Sequence, residues 1–391
     1  MSNAARLTAN ASNLADELAY LQQLIRFPSV TPNEAGAIAW LDQQLTLRGF
    51  SCELFECQGV SNLIAKYEFG PGNVFAFCGH IDVVPAAAER WRCDPFAGDI
   101  IDGEIYGRGA ADMKGGVAAM LAATDRLLAA KPTQGQFYWL ITSDEEGEAE
   151  FGSADIAKHL QNQGVRLDAC LVGEPTADLR AGDTIKNGRR GALSARISVK
   201  GRAGHVAYPE HTVNAAHIGA QLAVALQQIH WHKDIEGSKT TLQVTGLHVP
   251  NSLDNLVPAQ CQLTFNVRYS HGYRSNDVQD MVNQALAPWL NEIEVSWERP
   301  CEPYYTSGGG DIDLIAVLES AIHFCTHSYP KLSTSGGTSD GRFFANEHTQ
   351  VVECGVPNHT IHQDNERVAV ADLNAITDIY AQTLKQVFAC S

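Results

Sequence analysis

The sequence predicts an α/β protein in which a smaller α+β domain interrupts a domain built on a largely parallel sheet. Strand-like and helix-like patterns alternate over the first 190 residues, as in a layer of parallel strands joined by helices. From Ala192 the strands instead alternate apolar and polar residues, which is typical of a sheet with one exposed face. From about Glu302 the alternation of strand-like and helix-like patterns returns. We therefore predict three segments, namely residues 1–190, an inserted domain at 191–303, and residues 304–391.

The first segment begins with two predicted helices, Leu14–Ile25 and Ala37–Leu47, because apolar residues recur there at helical spacing. A third helix is predicted at Gly116–Ala130, which is rich in Ala, Leu and Met. Short apolar runs bounded by turn residues predict buried strands. These strands are Asn62–Ala65, Val74–Cys78, Phe137–Thr142 and Ala169–Val172.

The inserted segment has the predicted order strand, helix, strand, strand, helix, strand, which is that of a ferredoxin-like layer. In chain order these elements fall at residues 192–200, 213–229, 241–249, 260–269, 276–290 and 292–297. In the last segment we predict helices at 312–326 and 370–388, with a short apolar run at 351–352 between them.

The composition excludes several classes of protein. With 45% hydrophobic residues, the 391-residue chain can bury a large core. Its 28 basic and 45 acidic residues give a net charge of −17, which argues against binding to nucleic acid or to an anionic membrane surface. No apolar run is long enough to span a membrane, and the amino terminus does not resemble a signal peptide. Ten cysteines without C-x-x-C spacing indicate reduced thiols, so we expect a cytoplasmic protein.

Three of the predicted buried strands run into a candidate metal ligand. His80 lies in CGHIDVVP, Glu145 and Glu146 lie in TSDEEGE, and Glu174 lies in VGEP. Because sites form beyond the carboxyl ends of parallel strands, these residues can converge although they are far apart in sequence. Carboxylates and an imidazole suit a divalent cation such as zinc.

Each of these residues also has an ordinary structural alternative. His80 could be a hydrogen-bonded loop histidine, the acidic run could be a solvated turn, and Glu174 before a proline could begin a turn. Asp112, in GRGAADMKGG, could cap the helix that follows it. The four features together favour a cation site.

The ordered motifs CGHIDVVP, GRGAADMKGG, TSDEEGE and VGEP resemble the co-catalytic zinc aminoacylase and carboxypeptidase superfamily. Four further motifs resemble one bacterial amide-hydrolase family within it, so that the resemblance covers roughly residues 15–388. They are KNGRRGALS, GRAGHVAYP, DNLVPAQ and GGTSDGRFF. The resemblance implies a zinc-peptidase-like domain with a mixed, mostly parallel sheet, an inserted domain that forms a homodimer, and hydrolysis of an amide bond in an anionic N-acyl amino acid.

The resemblance also implies two Zn²⁺ ions per subunit, although Co²⁺ could occupy one site. Asp112 would bridge the two ions, His80 and Glu174 would complete the first site, and Glu146 and His362 would complete the second. His359, in VPNHTIHQ, is a rival for His362. Lys114 receives no catalytic role.

Three residues would have catalytic roles by the same resemblance. Glu145 would be the general base, Asp82 would orient the imidazole of His80, and His205 would reach from the partner subunit to stabilise the oxyanion. Without the resemblance, His205 would read as a loop histidine.

The anionic substrate would bind to cations and hydrogen-bond donors. The expected residues are Arg189, Arg268, Asn255, Gly337, Thr338 and Ser339. Alternatively, Arg268 could be a surface charge at a strand edge, and residues 336–339 could be only a tight turn.

Two alternatives to this function remain. One is a different acyl specificity within the superfamily, such as that of acetylornithine deacetylase. The other is a non-catalytic binding protein, which the presence of all the implied ligands and of Glu145 argues against. For the homodimer, we expect an exposed strand edge near Leu193–Val199 to be the interface.

Overall fold

The computed structural model describes residues 16–235, 237–250 and 253–389. Positions 14 and 15 of the first predicted helix lie outside these ranges. Within them, no helix is both long enough and apolar enough to cross a membrane, and every cysteine is a free thiol. The α-helices are α1 Asp16–Ile25, α2 Ala37–Leu47, α3 Lys114–Ala129, α4 Ser153–Asn162, α5 Ala215–Gln227, α6 Ser275–Leu286, α7 Leu314–Thr326 and α8 Val370–Val387.

Each predicted strand is present, with bounds that differ by a few residues, and several short strands add to them. The strands are β1 Ser51–Cys57, β2 Val60–Gly70, β3 Val74–His80, β4 Ile100–Ile101, β5 Glu104–Tyr106, β6 Gly135–Thr142, β7 Ala169–Val172, β8 Thr184–Lys186, β9 Gly188–Arg189, β10 Gly191–Lys200, β11 Gly204–His205, β12 Thr241–His248, β13 Leu256–Val257, β14 Gln260–Tyr269, β15 Ile293–Trp297, β16 Tyr304–Tyr305, β17 Lys331–Ser333, β18 Gln350–Glu353 and β19 Arg367–Ala369.

The chain divides into two compact units. The first contains the described residues up to Gly188, then Thr306–Ser333 and the described residues from Ser339 onward. The second contains Arg189–Tyr305 and the short segment Thr334–Thr338.

The first unit is built on an eight-stranded sheet with the order β1-β2-β6-β3-β7-β18-β8-β17. The strands β6, β3, β7 and β18 run parallel to one another, whereas β1 and β2 pair antiparallel at one edge. The sheet is therefore mixed and mostly parallel, which confirms the prediction. His80 lies opposite Thr142, and Cys78 lies opposite Val172, so the carboxyl ends of β3, β6 and β7 meet at one edge.

An aromatic core holds these central strands in place. Phe75, Phe77, Phe137 and Trp139 are fully buried on β3 and β6. The rings of Phe77 and Trp139 pack edge to face with their centroids 5.0 Å apart. Burying each such side chain stabilises the fold by about 1.5–3 kcal/mol. The strands whose ends carry the candidate ligands are therefore fixed by a well-packed core.

The second unit has an antiparallel four-stranded sheet with the order β12-β14-β10-β15. Together with α5 and α6, its chain order is β-α-β-β-α-β, which confirms the ferredoxin-like layer. The alternate residues Leu193, Ala195 and Ile197 of β10 are buried, as the sequence pattern predicted. The predicted dimer edge is wrong, however, because β10 pairs with β14 on one side and with β15 on the other. The edges of this sheet are β12 and β15.

Candidate metal centre

Strand ends position most of the candidate ligands. His80 is the last residue of β3, Glu145 and Glu146 follow the end of β6, and Glu174 follows the end of β7. These three strands are neighbours in the sheet and parallel. The structure thus brings together side chains that the sequence analysis placed at separate strand ends.

Asp112 lies two residues before the start of α3. The residue at the amino-terminal cap of α3 is Met113, whose side chain makes no capping hydrogen bond, so Asp112 does not occupy the cap position. A Cβ atom on Gly116 would lie 2.2 Å from the carbonyl oxygen of Gly173. The glycine thus lets α3 approach the turn that carries Glu174.

His362 reaches the same place from the loop between β18 and β19. Its backbone is left-handed, with φ of +59°, a conformation that is uncommon outside glycine and asparagine. Its Nε2 lies 2.9 Å from Oε1 of Glu146 and 3.4 Å from Oδ2 of Asp112. The rival His359 is exposed and belongs to neither candidate group of ligands.

The ligands form two groups that share one carboxylate. The first group is His80, Asp112 and Glu174, and the second is Asp112, Glu146 and His362. Within each group, the candidate ligand atoms lie within 4.8 Å of one another. In the first group, Nε2 of His80 lies 3.4 Å from Oδ1 of Asp112 and 3.4 Å from Oε1 of Glu174. Each oxygen of Asp112 therefore faces a different histidine.

The chemistry of the first group fits a divalent cation. The Nε2 atom of His80 is buried, and no hydrogen bond satisfies it within the described residues. The other ring nitrogen, Nδ1, lies 2.9 Å from the carbonyl oxygen of Asp82. A buried imidazole nitrogen without a hydrogen-bond partner, facing carboxylates, is suited to bind a metal ion.

The pKa shifts show how strongly these groups interact without an ion. Burial alone would lower the pKa of His80, but Asp112, Asp82 and Glu174 raise it well above its usual range. Burial, and then the charge of Asp112, raises the pKa of Glu174 to about 7. Asp112, and then Glu146, raises the pKa of His362 to about 10. The cluster thus retains protons that a bound cation would displace.

Asp82 links His80 to the loop that carries two of the glutamates. Its carboxylate is fully buried and accepts the backbone N–H groups of Glu145 at 3.2 Å and of Glu146 at 3.0 Å. The same carboxylate lies 3.5 Å from Nδ1 of His80. The carbonyl of Asp82 is therefore the nearer partner of the imidazole, and its carboxylate mainly positions the glutamate loop.

Glu145 lies beside the first group without belonging to it. Its Oε2 is 3.9 Å from Nε2 of His80, and its side chain is 16% exposed. Burial, and then the charge of Glu174, raises the pKa of Glu145 well above its usual range. A carboxylate in this position can hold and release a proton near the candidate ligands.

Glu366, which lies four residues after His362, was not predicted as a functional residue from the sequence. It is fully buried, and it accepts the backbone N–H groups of Ala111 and Asp112. Nothing in the local sequence marks this residue, because its partners are far away along the chain.

In the second unit, Arg189 packs against the loop that contains two of the predicted binding residues. Its guanidinium donates to the carbonyl of Ser335 at 3.2 Å and to that of Gly337 at 3.5 Å. Gly336 has φ of +106°, and a Cβ there would lie 2.4 Å from Nη1 of Arg189. The structure therefore brings Arg189 and Gly337 together, next to Thr338.

Arg268 is half-buried on β14, opposite Ala192 and Thr241. Arg190 lies close enough to Arg268 to be affected by its charge. Burial, and then Arg268, lowers the pKa of the Arg190 guanidinium. This part of the second unit therefore concentrates positive charge on a chain that is acidic overall.

His205 and Asn255 lie together in a small antiparallel ladder of the second unit. His205 is on β11 and pairs with Leu256 of β13, and the carbonyl of Asn255 accepts the N–H of Val206 at 3.2 Å. Both side chains are exposed. Ser339, in contrast, is buried in the first unit, where its hydroxyl donates to Glu353 and accepts the N–H of Gly341.

The fold and the site together define a class of protein. An α/β sheet presents, at one edge, two adjacent groups of ligands that share a carboxylate, which is the arrangement of a two-metal hydrolase. The sequence pattern of Peptidase family M20/M25/M40 matches residues 76–386. The chain therefore belongs to Peptidase family M20/M25/M40.

Curated relatives match nearly the whole chain. It is 46% identical over 377 residues to succinyl-diaminopimelate desuccinylase 1 of Alteromonas mediterranea, covering 95% of this chain and 96% of the relative. It is 44% identical over 373 residues to succinyl-diaminopimelate desuccinylase 2 of Shewanella loihica, covering 93% and 98%. Among solved structures, an M20 family metallo-carboxypeptidase from Sulfolobus solfataricus has a similar fold, with a TM-score of 0.78 at 16% identity and coverage of 96% and 99%.

Proposed function

We propose that this protein hydrolyses the amide bond of N-succinyl-L,L-2,6-diaminopimelate, yielding succinate and L,L-2,6-diaminopimelate for diaminopimelate and lysine synthesis in the cytoplasm. The names of the two relatives that are 44% and 46% identical support this substrate. The observation that carries the chemistry is the carboxylate of Asp112, whose two oxygens face the histidines of two ligand groups.

The proposed cofactor is a pair of Zn²⁺ ions, with Co²⁺ able to replace one. His80 and Glu174 would hold the first ion, Glu146 and His362 the second, and Asp112 both. Mixed imidazole and carboxylate ligands are those that zinc accepts in hydrolases. When bound, the ions would polarise the amide carbonyl and lower the pKa of a water molecule.

The protein's own side chains would move the protons. Glu145 would accept the proton of the attacking water at its carboxylate and later deliver it to the departing amide nitrogen. Asp82 would keep Glu145 in reach through the hydrogen bond to its backbone N–H. His205, from the partner subunit, would donate a hydrogen bond to the developing oxyanion.

The substrate has three carboxylates, so its recognition requires donors and cations. We propose that Arg189 and Arg268 bind carboxylates as bidentate forks. The Gly337 and Thr338 donors and the Asn255 amide would add hydrogen bonds. Because the hydroxyl of Ser339 already donates to Glu353, its contribution would be the weakest of this set.

We propose that the homodimer forms through the edge of the second unit's sheet at β12. An unpaired strand edge is a template for pairing with another copy of the same strand. Val244 and Leu247 of β12 and Val224 of α5 are 37%, 51% and 53% exposed, so apolar surface lies beside that edge. This edge replaces the one near Leu193–Val199 that the sequence suggested.

A comparison of two substrates tests the proposal. Purified protein with two equivalents of Zn²⁺ should hydrolyse N-succinyl-L,L-2,6-diaminopimelate with a higher kcat/KM than N-acetylornithine. Faster turnover of N-acetylornithine would assign the chain another acyl specificity. Binding of either compound without any hydrolysis would indicate a non-catalytic binding protein.

A further inference from the structure

We propose that Glu366 is a positioning residue. It fixes the position of Asp112, the shared carboxylate, relative to His362, and so sets the metal affinity of the second ligand group. This inference rests on the proposed two-metal site. The second group is Asp112, Glu146 and His362.

The carboxylate of Glu366 is fully engaged with the loop that carries Asp112. Oε1 accepts the N–H groups of Ala111 at 2.9 Å and of Asp112 at 3.0 Å. Oε2 accepts the N–H of Gly109 at 3.1 Å and a guanidinium N–H of Arg108 at 2.7 Å. The backbone carbonyl of Glu366 also accepts the N–H of Gly107 at 3.0 Å.

Arg108 completes this connection from the other side. Besides pairing with Glu366, its guanidinium donates to the carbonyl of Gln363 at 3.2 Å and to that of Pro85 at 3.3 Å. It also lies over the ring of Trp91, 5.2 Å from the centroid. Arg108 and Glu366 therefore join the 107–112 loop to the 362–366 segment through a buried, charge-assisted network.

The two ligand groups depend on this network to different extents. In the second group, both Asp112 and His362 lie on the segments that Glu366 joins. In the first group, His80 and Glu174 are held by the ends of β3 and β7, and only Asp112 depends on Glu366. Outer partners that orient metal ligands contribute about 10–100-fold to metal affinity. Loss of the Glu366 carboxylate should therefore weaken the second site more than the first.

The test uses the full-length Glu366→Gln variant, which keeps the shape of the side chain but loses its charge and one acceptor oxygen. Metal-free protein is titrated with Zn²⁺ by calorimetry, and with Co²⁺ followed by visible absorption. We expect the first ion to bind within about threefold of the wild-type affinity and the second to bind at least about tenfold more weakly. The matched control is Glu17→Gln, which alters a buried glutamate whose carboxylate lies 3.7 Å from Arg126 and should leave both affinities unchanged.

If Glu366→Gln does not fold, Glu366→Asp replaces it in the test. The aspartate keeps the charge, but its shorter side chain reaches the backbone donors less well. The same selective loss of affinity for the second ion is expected. Unchanged affinities at both sites, or equal losses at both, would overturn the inference. If wild-type protein bound fewer than two ions, the proposed two-metal site would fail instead, so the two failures can be told apart.

Discussion

The Oδ2 atom of Asp112 lies 3.4 Å from Nε2 of His362, although the two residues belong to distant parts of the chain. The other oxygen of the same carboxylate lies 3.4 Å from Nε2 of His80. One side chain thus belongs to both ligand groups. If two ions bind, this carboxylate would be a ligand to both.

Replacing Asp112 should therefore remove metal and not only slow the reaction. In Asp112→Asn, each ion would lose an anionic ligand, so we expect the zinc content to fall from two ions to less than one per chain. Elemental analysis after dialysis measures this directly. Asp102→Asn, at an exposed surface position, is the control and should keep both ions. Two retained zinc ions in Asp112→Asn would contradict the bridging role.

Glu145→Gln should separate catalysis from metal binding. The amide cannot accept a proton from water, and general-base contributions are typically about 10²–10⁴-fold, so kcat should fall by that factor. The zinc content should not change, since Glu145 belongs to neither ligand group. The control, Glu148→Gln on the exposed part of the same loop, should retain most of the activity. A kcat of Glu145→Gln within about threefold of wild type would exclude Glu145 as the base.

Metal binding should release protons and strengthen with rising pH. In the ion-free protein the pKa of His362 is raised to about 10 and that of Glu174 to about 7. Both groups therefore carry protons near neutral pH that a bound ion must displace. We expect the apparent Zn²⁺ affinity to increase between pH 6 and pH 8. Calorimetry in buffers of different ionisation enthalpy counts the protons, and zero release at pH 7 would contradict these shifts.

Conservative substitutions at Arg189 and Arg268 should act mainly on KM. Lysine cannot form the bidentate fork, and a hydrogen bond to a charged group contributes about 1.5–3 kcal/mol. Arg189→Lys and Arg268→Lys should therefore raise KM for the succinylated substrate by about 10–100-fold, with a smaller change in kcat. Arg166→Lys, on the surface of the first unit, provides the comparison. Steady-state kinetics in which KM does not move would remove both arginines from the substrate site.

If His205 acts on the site of the partner subunit, two inactive variants should complement each other. Dimers mixed from His205→Ala and Glu145→Gln contain one site with both residues intact. After random exchange of subunits, about a quarter of the wild-type activity should return, because half of the dimers are mixed and each has one good site. Each variant, exchanged with itself, is the control. A mixed sample that exchanges subunits but stays inactive would rule out catalysis across the dimer.

Local patterns predicted most of the first unit. The spacing of Ile38, Leu41 and Leu45 predicted α2 with its observed bounds, and the apolar run Ala169–Val172 is strand β7 as predicted. Because buried parallel strands are apolar along their length, the strand ends that carry His80, Glu146 and Glu174 could be located from sequence. The amphipathic helix α4 and the edge strand β1 were missed; β1 has no buried residue, and α4 buries only three of its ten residues.

Features that depend on long-range contacts could not be predicted in this way. The alternation in Leu193–Val199 predicted one exposed face but carried no information on strand order, and β10 is central in its sheet. Glu366 gives no local signal, because its role depends on backbone donors at Gly109, Ala111 and Asp112. The ligands His362 and Asp112 were assigned from resemblance, and the structure brings them into one group.

Activity during stepwise addition of Zn²⁺ to metal-free protein, with succinate release from N-succinyl-L,L-2,6-diaminopimelate as the readout, tests the two-metal site most directly. We expect no turnover without metal and a rise that saturates at two equivalents of Zn²⁺ per chain. Undiminished turnover by the metal-free chain, or no turnover when two zinc ions are bound, would contradict this expectation.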